Sequence, residues 1–149
     1  MSQWLHDPAF DPQDYASIVY RINLPDGRYY IGKKSLWVLK EGKIARESDW
    51  QDYWGSSKDV KALVKEAGKD TCTREVVRFC VSRGEASWLE AVLLIKGNCM
   101  LDPMCLNGNV LTTFNHRVIK GYSNDERRER YLKEIAKQRD TMRLNSGDA

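Results

Sequence analysis

Tyr20 and Tyr30 lie ten positions apart, in Ser17-Ile18-Val19-Tyr20-Arg21-Ile22 and Gly27-Arg28-Tyr29-Tyr30-Ile31-Gly32-Lys33-Lys34. Both stretches read as short β-strands, and the turn-rich Asn23-Leu24-Pro25-Asp26-Gly27 between them reads as a hairpin loop. Pairing of these strands brings the two phenols together. Phenols beside two lysines, on a backbone that Gly32 leaves open, suit a phosphate diester. A free phenol has a pKa near ~10 and is a poor base at neutral pH. A nearby metal ion and the cation of Lys33 or Lys34 favour the phenolate and make general-base work on water feasible. Side chains alternate along a strand, so only one of Tyr29 and Tyr30 faces such a site. The plainer alternative for each tyrosine is a sheet residue with an exposed hydroxyl.

Glu90 stands in an apolar helical stretch, Trp88 to Ile95, with no further charge until Lys96. A carboxylate amid so much apolar surface is costly unless it reaches water or holds something positive. Its oxygens are hard ligands that suit magnesium or manganese, and magnesium needs few protein carboxylates when a phosphate and waters complete its shell. Lys33, Lys34, Lys40, Lys43 and Arg46 crowd one segment with Trp37 between them. That is either a solvated basic loop or a phosphate-binding stripe interleaved with an aromatic. Asn107 precedes Gly108, an ordinary turn pair.

Taken in order, Ile18-Val19-Tyr20, Tyr30-Ile31-Gly32, Glu90 and Asn107 resemble the GIY-YIG nuclease family, over roughly residues 15 to 110. The stretches Lys33-Lys34-Ser35, Ser48-Asp49-Trp50 and Tyr53-Trp54-Gly55-Ser56-Ser57-Lys58 are similar to its phage-encoded, homing-endonuclease-like branch. The resemblance implies a DNA endonuclease dependent on Mg2+ or Mn2+, with Glu90 as metal ligand. Tyr20 would activate water, and Tyr30 would position it or the scissile phosphate. Asn107 would hold the loop that keeps the first strand against the Glu90 helix. The family carries an arginine soon after its Tyr-Ile-Gly, followed by a histidine or tyrosine. Residues 33 to 45 here contain no arginine, which leaves Lys34, or Arg46 with Tyr53, for those roles. Lys33, Lys34, Trp37, Lys40, Lys43 and Tyr53 are the candidate DNA contacts. The departure from the pattern keeps open a weakened or inactive nucleic-acid-binding module on the same fold.

The 149 residues, 42% of them hydrophobic, suffice for one core. Net charge is +3, too mild to prove nucleic-acid binding by itself. No apolar run approaches the ~20 residues that span a bilayer, and the N-terminus lacks the basic and apolar regions of a signal peptide, so a cytoplasmic protein is expected. Cys72, Cys80, Cys99 and Cys105 form no Cys-x-x-Cys pair. They read as reduced, mostly buried thiols rather than a zinc site with His116. Specificity would have to come from the 33–55 insert, the C-terminal helix, a homodimer or a partner protein.

The elements that must position these residues follow from pattern and punctuation. Residues 1–14 form an arm anchored by Trp4, Leu5 and Phe10. A domain of α/β (α+β) class spans 15–116, and a charged helix and tail span 117–149. Strands are expected at about 17–22, 28–31 and 73–80, with a small second hairpin around Glu41-Gly42. One helix starts at Ser57 and ends at Gly68. The next opens with the capping box Ser82-x-x-Glu85 and stops at Gly97. Residues 98 to 116 read as loop. A second capping box, Ser123-x-x-Glu126, opens the last helix, whose apolar stripe of Tyr131, Ile135 and Met142 is thin. The resemblance implies a three-stranded antiparallel sheet flanked by helices.

Overall fold

The computed structural model describes residues 3–110, 114–115 and 125–145. His116, the Ser123 end of the second capping box and the tail after Asn145 lie outside the described residues. In chain order the elements are β1 (Trp4–Leu5), β2 (Ser17–Asn23), β3 (Tyr29–Ser35), β4 (Trp37–Lys40), β5 (Lys43–Glu47), α1 (Lys58–Ala67), β6 (Thr73–Cys80), α2 (Arg83–Lys96), β7 (Asn109–Val110), β8 (Phe114–Asn115) and α3 (Asp125–Asn145).

The main sheet has the order β1-β6-β2-β3. Its antiparallel centre, β6-β2-β3, is the expected three strands. The N-terminal arm adds a fourth, β1, which runs parallel to β6 with Trp4 opposite Arg74. The β2–β3 register puts Tyr20 opposite Gly32 and Ile22 opposite Tyr30. β3 runs four residues past Ile31, through Gly32-Lys33-Lys34-Ser35, beyond the expected end of the 28–31 strand. The reason is pairing: Ser17, Ile18 and Val19 of β2 supply partners to Ser35, Lys34 and Lys33. β4 and β5 form the small second hairpin.

Alternation in β2 feeds two cores. Ile18, Tyr20 and Ile22 pack on the face covered by Val60 and Val64 of α1 and by Trp50 and Trp54. Val19, with Tyr29 and Ile31 of β3, packs on the face covered by Ala86 and Leu94 of α2 and by Cys99, Met100 and Cys105. Burying an apolar side chain of this size contributes about 1.5–3 kcal/mol, so these opposed clusters fix which way each strand faces. All four cysteines are free and buried. Both helix starts follow the sequence: the Ser57 side chain accepts from Val60 N–H, and that of Ser82 from Glu85 N–H. Gly68 closes α1 with φ 92°. At the end of α2 the left-handed residue is Asn98, φ 51°, and Gly97 keeps a helical backbone. Asparagine tolerates that region because its short polar side chain can bond locally. The 98–116 stretch contains a 3-10 turn at Cys99–Leu101 and the short β7–β8 pair.

Candidate active site

Tyr20 is 1% exposed although it sits at the centre of the site. Directly across from it, Gly32 has no side chain, and a Cβ there would overlap the Tyr20 hydroxyl and Cζ. The expectation that Gly32 leaves backbone open to a phosphate is therefore corrected: the Tyr20 phenol fills that space. Around it stand the rings of Trp4, Tyr53 and Tyr30, with centroids at 5.5, 5.9 and 6.3 Å.

Burial pushes the Tyr20 phenol well above its ordinary pKa, and Tyr30, Tyr53 and Glu90 push it the same way. Tyr30, half-buried, is raised by burial first, against a lowering hydrogen bond from Ser56; Glu90 and Tyr53 raise it further. The lysines do not offset this, contrary to expectation. Lys34 Nζ bridges Asp49 Oδ1 at 2.6 Å and lies 4.2 Å over the Tyr53 ring. Lys33 Nζ donates to Ser87 Oγ at 2.5 Å. Both phenols are accordingly protonated in the free protein. Tyr29 faces the other way, where its hydroxyl donates to Asp102 Oδ2 at 2.7 Å.

Glu90 projects from α2 to the edge of this cluster. It is half-buried, and burial raises its pKa while the Lys33 cation lowers it. Its charge is felt at both Tyr20 and Tyr30, so β2, β3 and α2 together bring the carboxylate and the phenols into one constellation. Among the described residues no group of three or more His, Cys, Asp or Glu is arranged to hold a metal ion. A single hard carboxylate fits a hydrated magnesium ion completed by substrate oxygens, not an all-protein cage.

Asn107 is 5% exposed and acts on β3 rather than on the first strand. Its Oδ1 accepts from Ile31 N–H at 2.9 Å, and its Nδ2 donates to Ile31 C=O at 2.7 Å. With Tyr29 N–H on Met104 C=O and Leu106 N–H on Tyr29 C=O, the 104–107 segment seals the outer edge of β3. Asn107 is thus placed to hold the strand that carries Tyr30, and its own polar atoms point into backbone.

The hairpin residues stand apart from this constellation. Arg46 is exposed on β5 opposite Val38, and Lys40 faces Lys43 beside the turn. The Trp37 indole is tied down, its Nε1–H donating to Tyr15 C=O at 2.9 Å. Sequence reasoning missed Arg74. It is 3% exposed between the Trp4 and Trp54 rings, and its guanidinium donates to the carbonyls of Gln51 and Tyr53 at 3.0 and 2.9 Å. Its parity was a readable signal: two residues before Val76, it shares the β6 face turned to the aromatic core.

Residues 4–118 match the profile of a family described as "Putative endonuclease segE, GIY-YIG domain". No curated protein and no solved structure matches the chain. No helix among the described residues is long and apolar enough to cross a membrane. The match covers the four-stranded sheet, α1, α2, both tyrosines, Glu90 and Asn107. The chain belongs to the GIY-YIG nuclease family.

Proposed function

We propose that this chain is a metal-dependent DNA endonuclease that hydrolyses phosphodiester bonds at the Tyr20–Tyr30–Glu90 site. The observation that supports the reading is the packing of α2, which carries Glu90, against the β2–β3 hairpin that carries Tyr20 and Tyr30, with Glu90 within electrostatic reach of both phenols. Glu90 would hold a magnesium or manganese ion, which when bound supplies positive charge to the phosphoryl oxygens.

The rest falls to the chain's own residues. Tyr30 is half-buried, and it orients the water or the scissile phosphate. Tyr20 takes the water's proton, in keeping with the family resemblance. Because both phenols start protonated and Tyr20 is 1% exposed, that role requires the bound substrate complex both to lower the Tyr20 pKa and to open its hydroxyl to water. The Tyr53 ring packs edge-on against that of Tyr20, and Lys34, braced by Asp49, lies over Tyr53. Lys34 is better placed than Arg46 to face charge developing at the phenols.

The test is supercoiled-plasmid nicking with and without magnesium, for the parent, Glu90→Gln, Tyr20→Phe and Tyr30→Phe. Cleavage that needs magnesium, is abolished by Glu90→Gln, and is cut by at least roughly 10²-fold in one tyrosine variant is the expected result. Unchanged nicking by Glu90→Gln would remove that residue from the mechanism.

A further inference from the structure

Between the Lys33–Ser35 end of β3 and the first turns of α2 lies a cavity of about 300 Å³. Lys33, Lys34 and Arg83 line it with cations, Ser17, Ser35 and Ser87 line it with hydroxyl-bearing residues, and no carboxylate lines it. The three cations are not equivalent. The Lys34 charge is already met by Asp49. Lys33 rests on Ser87 and lies within the field of Glu90. Arg83 is exposed and forms no ion pair among the described residues. It is also the first residue of α2, where unsatisfied N–H groups and the helix dipole favour an anion. A guanidinium there can grip two phosphate oxygens at once, which a lysine cannot.

We propose that this cavity seats a non-scissile backbone phosphate of the DNA substrate, gripped by Arg83 and Lys33. The proposal rests on the nuclease reading and extends it, since Arg83 was not among the residues expected to touch DNA. Arg83, Ser87 and Glu90 are spaced four and three residues apart, so they share one face of α2. Arg83 to Glu90 is roughly 10 Å along the helix axis. A phosphate in the cavity therefore lies within a few nucleotides of one held at Glu90. Seating it fixes the register of the strand across the phenols. It also assigns a cation to substrate contact in a chain that lacks arginine between residues 33 and 45.

The experiment measures binding of a random-sequence 30-base-pair duplex by fluorescence anisotropy in EDTA, over a salt series, alongside magnesium-dependent plasmid nicking. Arg83→Ala should raise Kd about tenfold or more, and should reduce the slope of log K against log salt by ~0.9, the value of one lost phosphate contact. Arg83→Lys should restore the slope but only part of the affinity. Ser35→Glu, which sets a carboxylate among the cations, should weaken binding further, with melting temperature confirming that each variant folds. Arg83→Ala with the parent's Kd and salt slope overturns the phosphate seat while leaving the nuclease reading intact. A parent that binds but never nicks overturns the hydrolytic reading and leaves the seat to be judged by the slopes. A parent that does not bind DNA overturns both.

Discussion

Replacing Gly32 by alanine tests the packing on which the site depends. In a strand interior, Gly→Ala alone should stabilise by about 0.5–1 kcal/mol, because alanine loses less backbone freedom on folding. Here the added Cβ would overlap the Tyr20 hydroxyl and Cζ. The ring cannot simply withdraw, since Trp4, Tyr30 and Tyr53 surround it and it is 1% exposed. Forcing one extra carbon into such a space typically costs about 1–3 kcal/mol. At ~2–4 °C per kcal/mol for a protein of this size, the melting temperature should fall by about 2–12 °C. The sign is diagnostic. In a Tyr20→Leu background, where the aromatic ring end is gone, Gly32→Ala should become neutral or stabilising. Thermal melts of the four proteins of this cycle give the coupling between the two residues, which should exceed ~1 kcal/mol. The reasoning is refuted if Gly32→Ala raises the melting temperature of the parent, or if its effect is the same in both backgrounds.

Asn107→Ala removes partners from both the N–H and the C=O of Ile31, so at ~1–3 kcal/mol for each buried group it should cost about 2–6 kcal/mol in urea denaturation. Arg74→Met strips two hydrogen bonds from the 51–53 turn; it should destabilise by roughly 1–3 kcal/mol and lower nicking by loosening Tyr53, while an unchanged denaturation midpoint would count against this brace. The raised pKa of Glu90 means that the folded state holds its proton more tightly than the unfolded chain. That contribution to stability is complete below the ordinary value of 4.5 and is lost as pH rises through the folded value. Without metal, Glu90→Gln should therefore melt above the parent at pH 7.5, with the gap closing as pH falls towards 4.5; a gap that widens on acidification would reverse the argument.

Elements with strong local punctuation were readable in the sequence. β2 and β6 are rich in β-branched and aromatic residues, and serine caps open α1 and α2. β1 was not readable, because two residues carry no periodicity and only Arg74 and Glu75 across the sheet define it. The extension of β3 was hidden because Gly32, Lys33 and Lys34 look like loop, whereas lysines on an edge strand are ordinary. Spacing and family resemblance made Tyr20, Tyr30 and Glu90 legible as a set. The purpose of Gly32 was not, since it depends on the β2–β3 register and no single strand records that. Arg46 follows Gly32 in sequence, but the β4–β5 pairing carries it onto a separate hairpin.

The two borders of the main sheet are closed by different means. On one side, residues 104–107 run along β3 and occupy backbone groups of Tyr29 and Ile31. On the other, β1 pairs only with Arg74 and Glu75, while the His6 and Phe10 rings rest against Phe79 further along β6. A strand border left bare offers its unpaired N–H and C=O groups to any passing chain. Losing the first ten residues would thus bare the backbone of β6 at Arg74 and Glu75 and strip the rings that rest on Phe79. The arm that lays Trp4 against Tyr20 is therefore also part of the border of the sheet.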